Sequence, residues 1–143
     1  MTALAADRDT GSKDAGGLLA IAVEESTTIY AGGGVMVNAA GYAIPAADTA
    51  SCIPMGVATT QADNSSGDDG DINVKVWTRG KFVFAHAAAT QANVGDSVYW
   101  TDDQTVEDSG ATNDVPAGKI TAIISATEVE VDITSAMSGG TLV

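Results

Sequence analysis

Leu19, Ile21 and Val23 alternate with Ala20 and Ala22, the two-residue period that predicts a strand with one buried face. A polar stretch, Glu24 to Thr28, follows, then Ala31-Gly32-Gly33-Gly34 and a second apolar run, Val35-Met36-Val37. A turn at Asn38 to Gly41 precedes the short segment Tyr42-Ala43-Ile44, which Pro45 ends because it has no N–H to donate. Ile53 to Thr60 reads as a further strand, and Asp63 to Gly70 (DNSSGDDG) as a loop by composition. Ile72, Val74 and Val76 then fall on one face of a cleanly alternating strand ending at Trp77.

The rest of the chain repeats this grammar. Phe82-Val83-Phe84 matches Leu19-Ala20-Ile21, and Val94 to Trp100 matches Ala31 to Val37. Val115-Pro116-Ala117-Gly118 matches Ile53-Pro54-Met55-Gly56, and Glu128 to Ile133 matches Asp71 to Val76. The offset is about 62 to 63 residues for the first three pairs and about 57 for the last, the shortfall falling on the acidic loop. Two repeats do not make a solenoid, so the halves are expected to share one core. The expected fold is all-β: a compact sandwich or barrel-like body of two related halves, 18–79 and 80–133, with little helix. Ala85 to Asn93 is the one helical candidate, at one or two turns, because alanine is the best helix former. Residues 1–17, polar and ending in Gly16-Gly17, are expected to be a flexible N-terminal arm, and 134–143 a C-terminal tail.

Charge narrows the range of partners. Six Lys and Arg stand against 19 Asp and Glu, a net charge of −13. Nucleic-acid binding needs clustered cations to displace counterions, and here only Lys75, Arg79 and Lys81 lie close together. An acidic exterior likewise disfavours anionic membranes. No apolar run approaches the roughly 20 residues that span a bilayer, and residues 1–17 lack the pattern of a secretory signal. Cys52 is the one cysteine, so no intrachain disulfide forms, which fits assembly in a reducing cytoplasm.

Catalytic chemistry has few carriers. His86 is the single histidine and has no neighbouring ligand or paired base in sequence. Cys52, beside Ile53 and Pro54, reads as a small hydrophobe rather than a nucleophile. Asp63, Asp68, Asp69 and Asp71 concentrate carboxylates without the EF-hand spacing, so a solvated hairpin tip is expected there. Asp102-Asp103 reads as a turn, and Gly32-Gly33-Gly34 lacks the Gly-Lys-Ser/Thr of a phosphate loop. No convergent acid, base and electrophile set is visible. The expectation is a non-enzymatic protein with no catalytic residues, no metal and no cofactor.

Asp7-Arg8-Asp9-Thr10, Ile29-Tyr30-Ala31-Gly32 and Val37 to Ala43 resemble segments of the decoration, or cement, proteins encoded beside the major capsid proteins of tailed phages. Val94 to Trp100 followed by Val115 to Gly118 is similar to a recurring phrase of the same family, Gly-Asp-x-Val-Tyr-Trp, a turn, then Gly-x-Ile/Val. The likeness covers most of 7–133, and the acidic loop at 63–70 departs from it. It implies a structural virion protein on the capsid exterior, assembled in the host cytoplasm, its partner the major capsid protein and its state a homotrimer, without direct nucleic-acid or membrane contact. It further implies a capsid-binding arm carrying Asp7, Arg8, Asp9, Thr10 and Lys13. Trp77, Phe84, Tyr99 and Trp100 are the expected core or trimer-interface aromatics, since large rings dominate buried contacts. The alternative is a β-rich fibre, baseplate or host-surface binding module; scarce aromatics (5 %) weigh against a carbohydrate platform.

Overall fold

A computed structural model of the chain describes residues 2–3, 5–8, 17–109 and 112–137. The first half contributes β1 (Leu18–Ala22), β2 (Thr27–Ile29), β3 (Gly34–Val37), β4 (Ala43–Pro45), β5 (Ile53–Ala58), β6 (Ala62–Asn64) and β7 (Asn73–Trp77). The second contributes β8 (Lys81–Ala85), β9 (Ser97–Trp100), β10 (Val106–Glu107), β11 (Pro116–Ser125) and β12 (Glu128–Asp132), followed by a single helical turn, α1 (Thr134–Met137). The fold is all-β. One five-stranded sheet has the order β1-β7-β5-β3-β4, a second has β10-β9-β11-β12-β8, and β2 pairs with β6 in a separate ribbon. Every strand pair is antiparallel. In each five-stranded sheet the two edges come together at one parallel bridge, Val23 with Ala43 and Ala85 with Thr105, so each sheet curls into a partly closed barrel.

The two sheets have one topology. Substituting β8 for β1, β9 for β3, β10 for β4, β11 for β5 and β12 for β7 turns one strand order into the other. The same backbone bonds recur: Gly32 N–H to Ala58 O and Ala58 N–H to Gly33 O in the first half, Gly95 N–H to Ile120 O and Ile120 N–H to Asp96 O in the second. Register corrects one detail of the sequence alignment. Val74 lies opposite Ile21 and Val129 opposite Phe84, so the last strands correspond from Val74 to Val129, an offset of 55 rather than 57. A shift of two residues leaves the in-and-out alternation unchanged, so the pattern alone carried no signal of it.

The halves differ where the first inserts its ribbon. Between β5 and β7 lie β6 and the acidic loop, whereas β11 and β12 are joined directly through Ala126 and Thr127. Asp63 and Asn64, expected in a loop, belong to β6, and the polar Thr27 and Thr28 to β2, because Thr27 pairs with Asn64 and Thr28 with Asp63. Ala85 to Asn93 is not a helix beyond a 3₁₀ turn at Gln91–Asn93. Its amides are drawn elsewhere: His86 N–H bonds Thr127 O and Ala89 N–H bonds Ala126 O, tying the segment to the β11–β12 hairpin. The expected tail begins as α1, which packs on β11 and β5. Hydrogen bonds from the Thr134 backbone and hydroxyl hold the Asp132 carboxyl below the usual carboxylate range.

Two apolar clusters result. Ile21, Val23, Ile29, Val35, Ala58, Val74 and Val76 fill the first curl. The second contains Phe84, Val98, Trp100, Ile120, Val129 and Val131 together with Met36, Ala46 and Val57 from the first half, so the halves share a core. The outer faces explain the sharing. On the first sheet Leu18, Trp77 and Val57 lie side by side; the equivalent row on the second is Lys81, Asp132 and Lys119. An apolar outer face is partly covered by the other half, and an ionic one is left to solvent.

Asp48, in the loop before β5, clamps the halves a second way. Its carboxylate accepts the N–H groups of Thr112 (2.8 Å) and Asn113 (2.7 Å), and the Asn113 amide donates to its carbonyl (3.1 Å). The Thr112 and then the Asn113 hydrogen bonds hold its pKa below the ordinary value. A carboxyl lowered by folding contributes stability above its unfolded pKa and loses it as pH falls through the folded one. Asp48→Ala at neutral pH is therefore expected to speed hydrogen exchange at the Thr112 and Asn113 amides several-fold. The native chain is expected to lose the same protection, after correction for intrinsic exchange, only below about pH 4.

Candidate functional site

His86 follows β8 directly and is buried, 7 % exposed. Its Nε2 lies 3.1 Å from Asp108 Oδ1, and its Nδ1 accepts the Ala88 N–H at 3.2 Å. The Ala88 bond requires a lone pair on Nδ1, so the neutral ring carries its proton on Nε2 and donates it to Asp108. Asp108 Oδ2 accepts the Asn93 amide at 2.8 Å, which also reaches Asp96 at 3.1 Å. Asn93 Oδ1 in turn accepts the Thr90 N–H. This network ties the 86–96 segment to the end of β10. An open pocket of about 270 Å³ lies over it, lined by His86, Ala87, Ala88, Glu107, Asp108 and Ser109. A general base needs a free lone pair within reach of a substrate proton; both imidazole nitrogens here are engaged, so the ring fastens a loop.

Cys52 is half-buried, its thiol 3.5 Å from Ala50 O. Burial, then the charge of Glu24, pushes its pKa up, the reverse of what activates a thiolate. Three aspartates of the 63–71 segment, Asp63, Asp69 and Asp71, are turned onto neighbouring donors. Asp63 accepts the Thr28 hydroxyl and the Ser65 N–H, Asp69 the Glu25 N–H, and Asp71 the Asp68 N–H. Hydrogen bonds from Ser65, then Thr28, hold the Asp63 carboxyl low. Asn64 is buried and donates to the carbonyls of Val23, Glu24 and Asp68, so it staples the loop to β1. Among the described residues no group of three His, Cys, Asp or Glu converges to hold a metal ion.

The aromatics divide. Phe84 and Trp100 lie in the shared core, edge to face with centroids 4.8 Å apart. Tyr99 is half-buried, while Trp77 is 39 % exposed on the outer face of the first sheet and is not a core residue. It lies beside Leu18 on that face. Asp7 and Arg8 are exposed; Asp9, Thr10 and Lys13 lie outside the described residues. No helix among the described residues is long and apolar enough to cross a membrane.

The larger cleft, about 420 Å³, opens where the halves meet. Tyr30, Ala31, Gly32 and Gly33 form one wall, and Asp103 and Gln104, from the turn between β9 and β10, the other. Gly34 N–H donates to Asp103 O at 2.7 Å and locks the walls together. Asp102 accepts the N–H groups of Gln104 and Thr105, which places Asp103 against the cleft. Burial, then repulsion by Asp102, raises the Asp103 carboxyl. Sequence reasoning identified Asp102-Asp103 as a turn and missed the cleft, along with Asp48, Asn93 and Asp108. Asp48 and Asp108 bond partners distant in sequence, so no local motif marks them, whereas Asn93 closes a capping box with Thr90 that the Thr-x-x-Asn spacing could have signalled.

No protein-family model, curated protein or solved structure matches the chain.

Proposed function

We propose that this chain is a structural decoration protein of a tailed-phage head, which binds the outside of the mature shell as a trimer and stabilises it. The observation that carries the reading is where the resembling phrases fall. Val94 to Trp100 and Val115 to Gly118 are not scattered turns: they supply β9 and the start of β11, neighbours in register with Tyr99 opposite Pro116. Val37 to Ala43 supplies the β3–β4 turn of the first half. The likeness thus lies in the framework of a doubled β body, as expected of a protein whose product is a surface. The imidazole bound on both nitrogens, the unactivated thiol and the hydrogen-bonded carboxylates of Asp63, Asp69 and Asp71 support a binding role over catalysis. A net charge of −13 supports a protein partner over nucleic acid.

In this reading the N-terminal arm orders on the shell, by strand addition to an exposed capsid edge, and three arms around an axis bind with avidity. Gly17 marks where the arm can be cut, because its carbonyl already accepts the N–H and hydroxyl of Thr78. The full chain is expected to co-sediment with purified expanded shells. Deletion of residues 2–16 is expected to weaken that binding at least roughly tenfold through lost avidity, with an unchanged melting temperature. Equal binding by the truncated chain would sink the arm. Sedimentation with host cells instead of shells would favour the fibre or receptor-binding reading.

A further inference from the structure

We propose that the cleft between the Tyr30–Gly33 turn and the Asp103–Gln104 turn receives a lysine or arginine side chain of the partner protein. The partner's identity rests on the decoration reading; the chemistry of the cleft does not. Asp103 presents a half-buried carboxylate to about 420 Å³ of open space. Among the described residues no cation lies within ion-pair distance of it. Asp102 is committed to capping Gln104 and Thr105, yet its charge adds to the negative potential. A carboxylate part-desolvated beside a like charge is stabilised by an arriving cation, since the desolvation has already occurred in the free protein.

The rest of the wall suits the same guest. Gly32 and Gly33 present no side chains, leaving room for a long aliphatic stem beside the backbone. Tyr30 is 61 % exposed at the rim, an aromatic face over which a guanidinium stacks. Specificity follows from charge: an anionic ligand is repelled, and a neutral one leaves the carboxylate unpaired. The chain itself is poor in cations, with six against 19 acidic residues, so the complementary charge comes from the partner.

Two measurements test the cleft separately from the function. The first titrates the free protein with N-acetyl-arginine amide and with its neutral isostere, N-acetyl-citrulline amide, while following backbone amide resonances. The arginine compound is expected to shift Gly32, Gly33, Asp103 and Gln104 saturably in the millimolar range, and Asp103→Asn to abolish the response. Equal shifts from citrulline, no shifts, or an unchanged response in Asp103→Asn would each overturn the site. The Gly34 bond to Asp103 uses the backbone carbonyl, so this variant is expected to keep its fold, checked by its melting temperature. The second compares shell binding. Asp103→Asn is expected to bind at least tenfold more weakly than the native chain at low salt, with a flatter salt dependence, and Tyr30→Ala a few-fold more weakly. If the native chain binds shells and Asp103→Asn binds equally well, the cleft is not the contact. If the native chain binds no shells, the decoration reading fails, while the arginine titration still decides the chemistry of the cleft.

Discussion

Trp100→Ala is expected to destabilise the fold by about 3–5 kcal/mol, the range for removing a fully buried large aromatic. Trp100 is 2 % exposed and belongs to the core shared by the halves. Its ring packs edge to face with Phe84 and also against the backbone of Gly34; a Cβ at Gly34 would stand 2.6 Å from its ring carbons. The indole thus joins the second curl to a strand of the first, and deleting it opens a cavity that two curled sheets cannot easily close. For a domain of ordinary stability, about 5–15 kcal/mol, this is a large share. The Gly34 contact supplies an internal test. Gly34→Ala in the native background is expected to cost about 1–3 kcal/mol by overpacking, and in the Trp100→Ala background close to nothing. Urea denaturation of the four variants reads the coupling. Simple additivity would show that the ring is not seated on Gly34.

Gly118→Ala and Gly56→Ala are expected to cost about 3 kcal/mol or more each, from two causes that add. Gly118 has φ +149° and Gly56 φ +142°, a region that L side chains rarely adopt. A Cβ at Gly118 would also run into the carbonyl oxygen of Asp132, and one at Gly56 into that of Trp77, backbone atoms that cannot rotate aside. Both glycines adjoin register shifts in the β3–β5 and β9–β11 pairs, where each sheet bends as it curls. Gly41→Ala separates the causes. Gly41 has φ +89° with open space around it, so its substitution is expected to cost only the backbone component, roughly 1–2 kcal/mol. Similar losses at all three positions would remove the steric part of the explanation. Losses at Gly56 and Gly118 well above that at Gly41 identify these two glycines as the bends on which each curl depends.

Much of the framework was legible because local rules act strongly along it. Alternation located β1, β7, β8 and β12, and the matching Pro54-x-Gly56 and Pro116-x-Gly118 segments fall in equivalent strands, β5 and β11. The β2–β6 ribbon was not legible. Thr27, Thr28, Asp63 and Asn64 have the composition of a loop, and their pairing goes with long-range contacts of the Asn64 amide to the carbonyls of Val23 and Glu24 that composition does not signal. Of the aromatics read as anchors, Phe84 and Trp100 are buried whereas Trp77 is exposed, although Trp77 and Trp100 both end alternating strands. Periodicity assigns a residue to a face but not to the face that another part of the chain covers.

The sequence by itself determined the all-β character and the positions of the alternating strands along the chain, since these follow from period-2 patterning and turn residues. Only the tertiary structure decided that the outer face of the first sheet carries Trp77 and Val57 where the second carries Asp132 and Lys119. It alone decided that both nitrogens of His86 are occupied, that Asp48 clamps a loop 64 residues away, and that Tyr30 and Asp103 share a cleft. The physical reason is one of range. Strand period and turn type are set by neighbours along the chain, whereas burial, hydrogen-bond partners and clefts are set by whatever the other half of the protein places alongside.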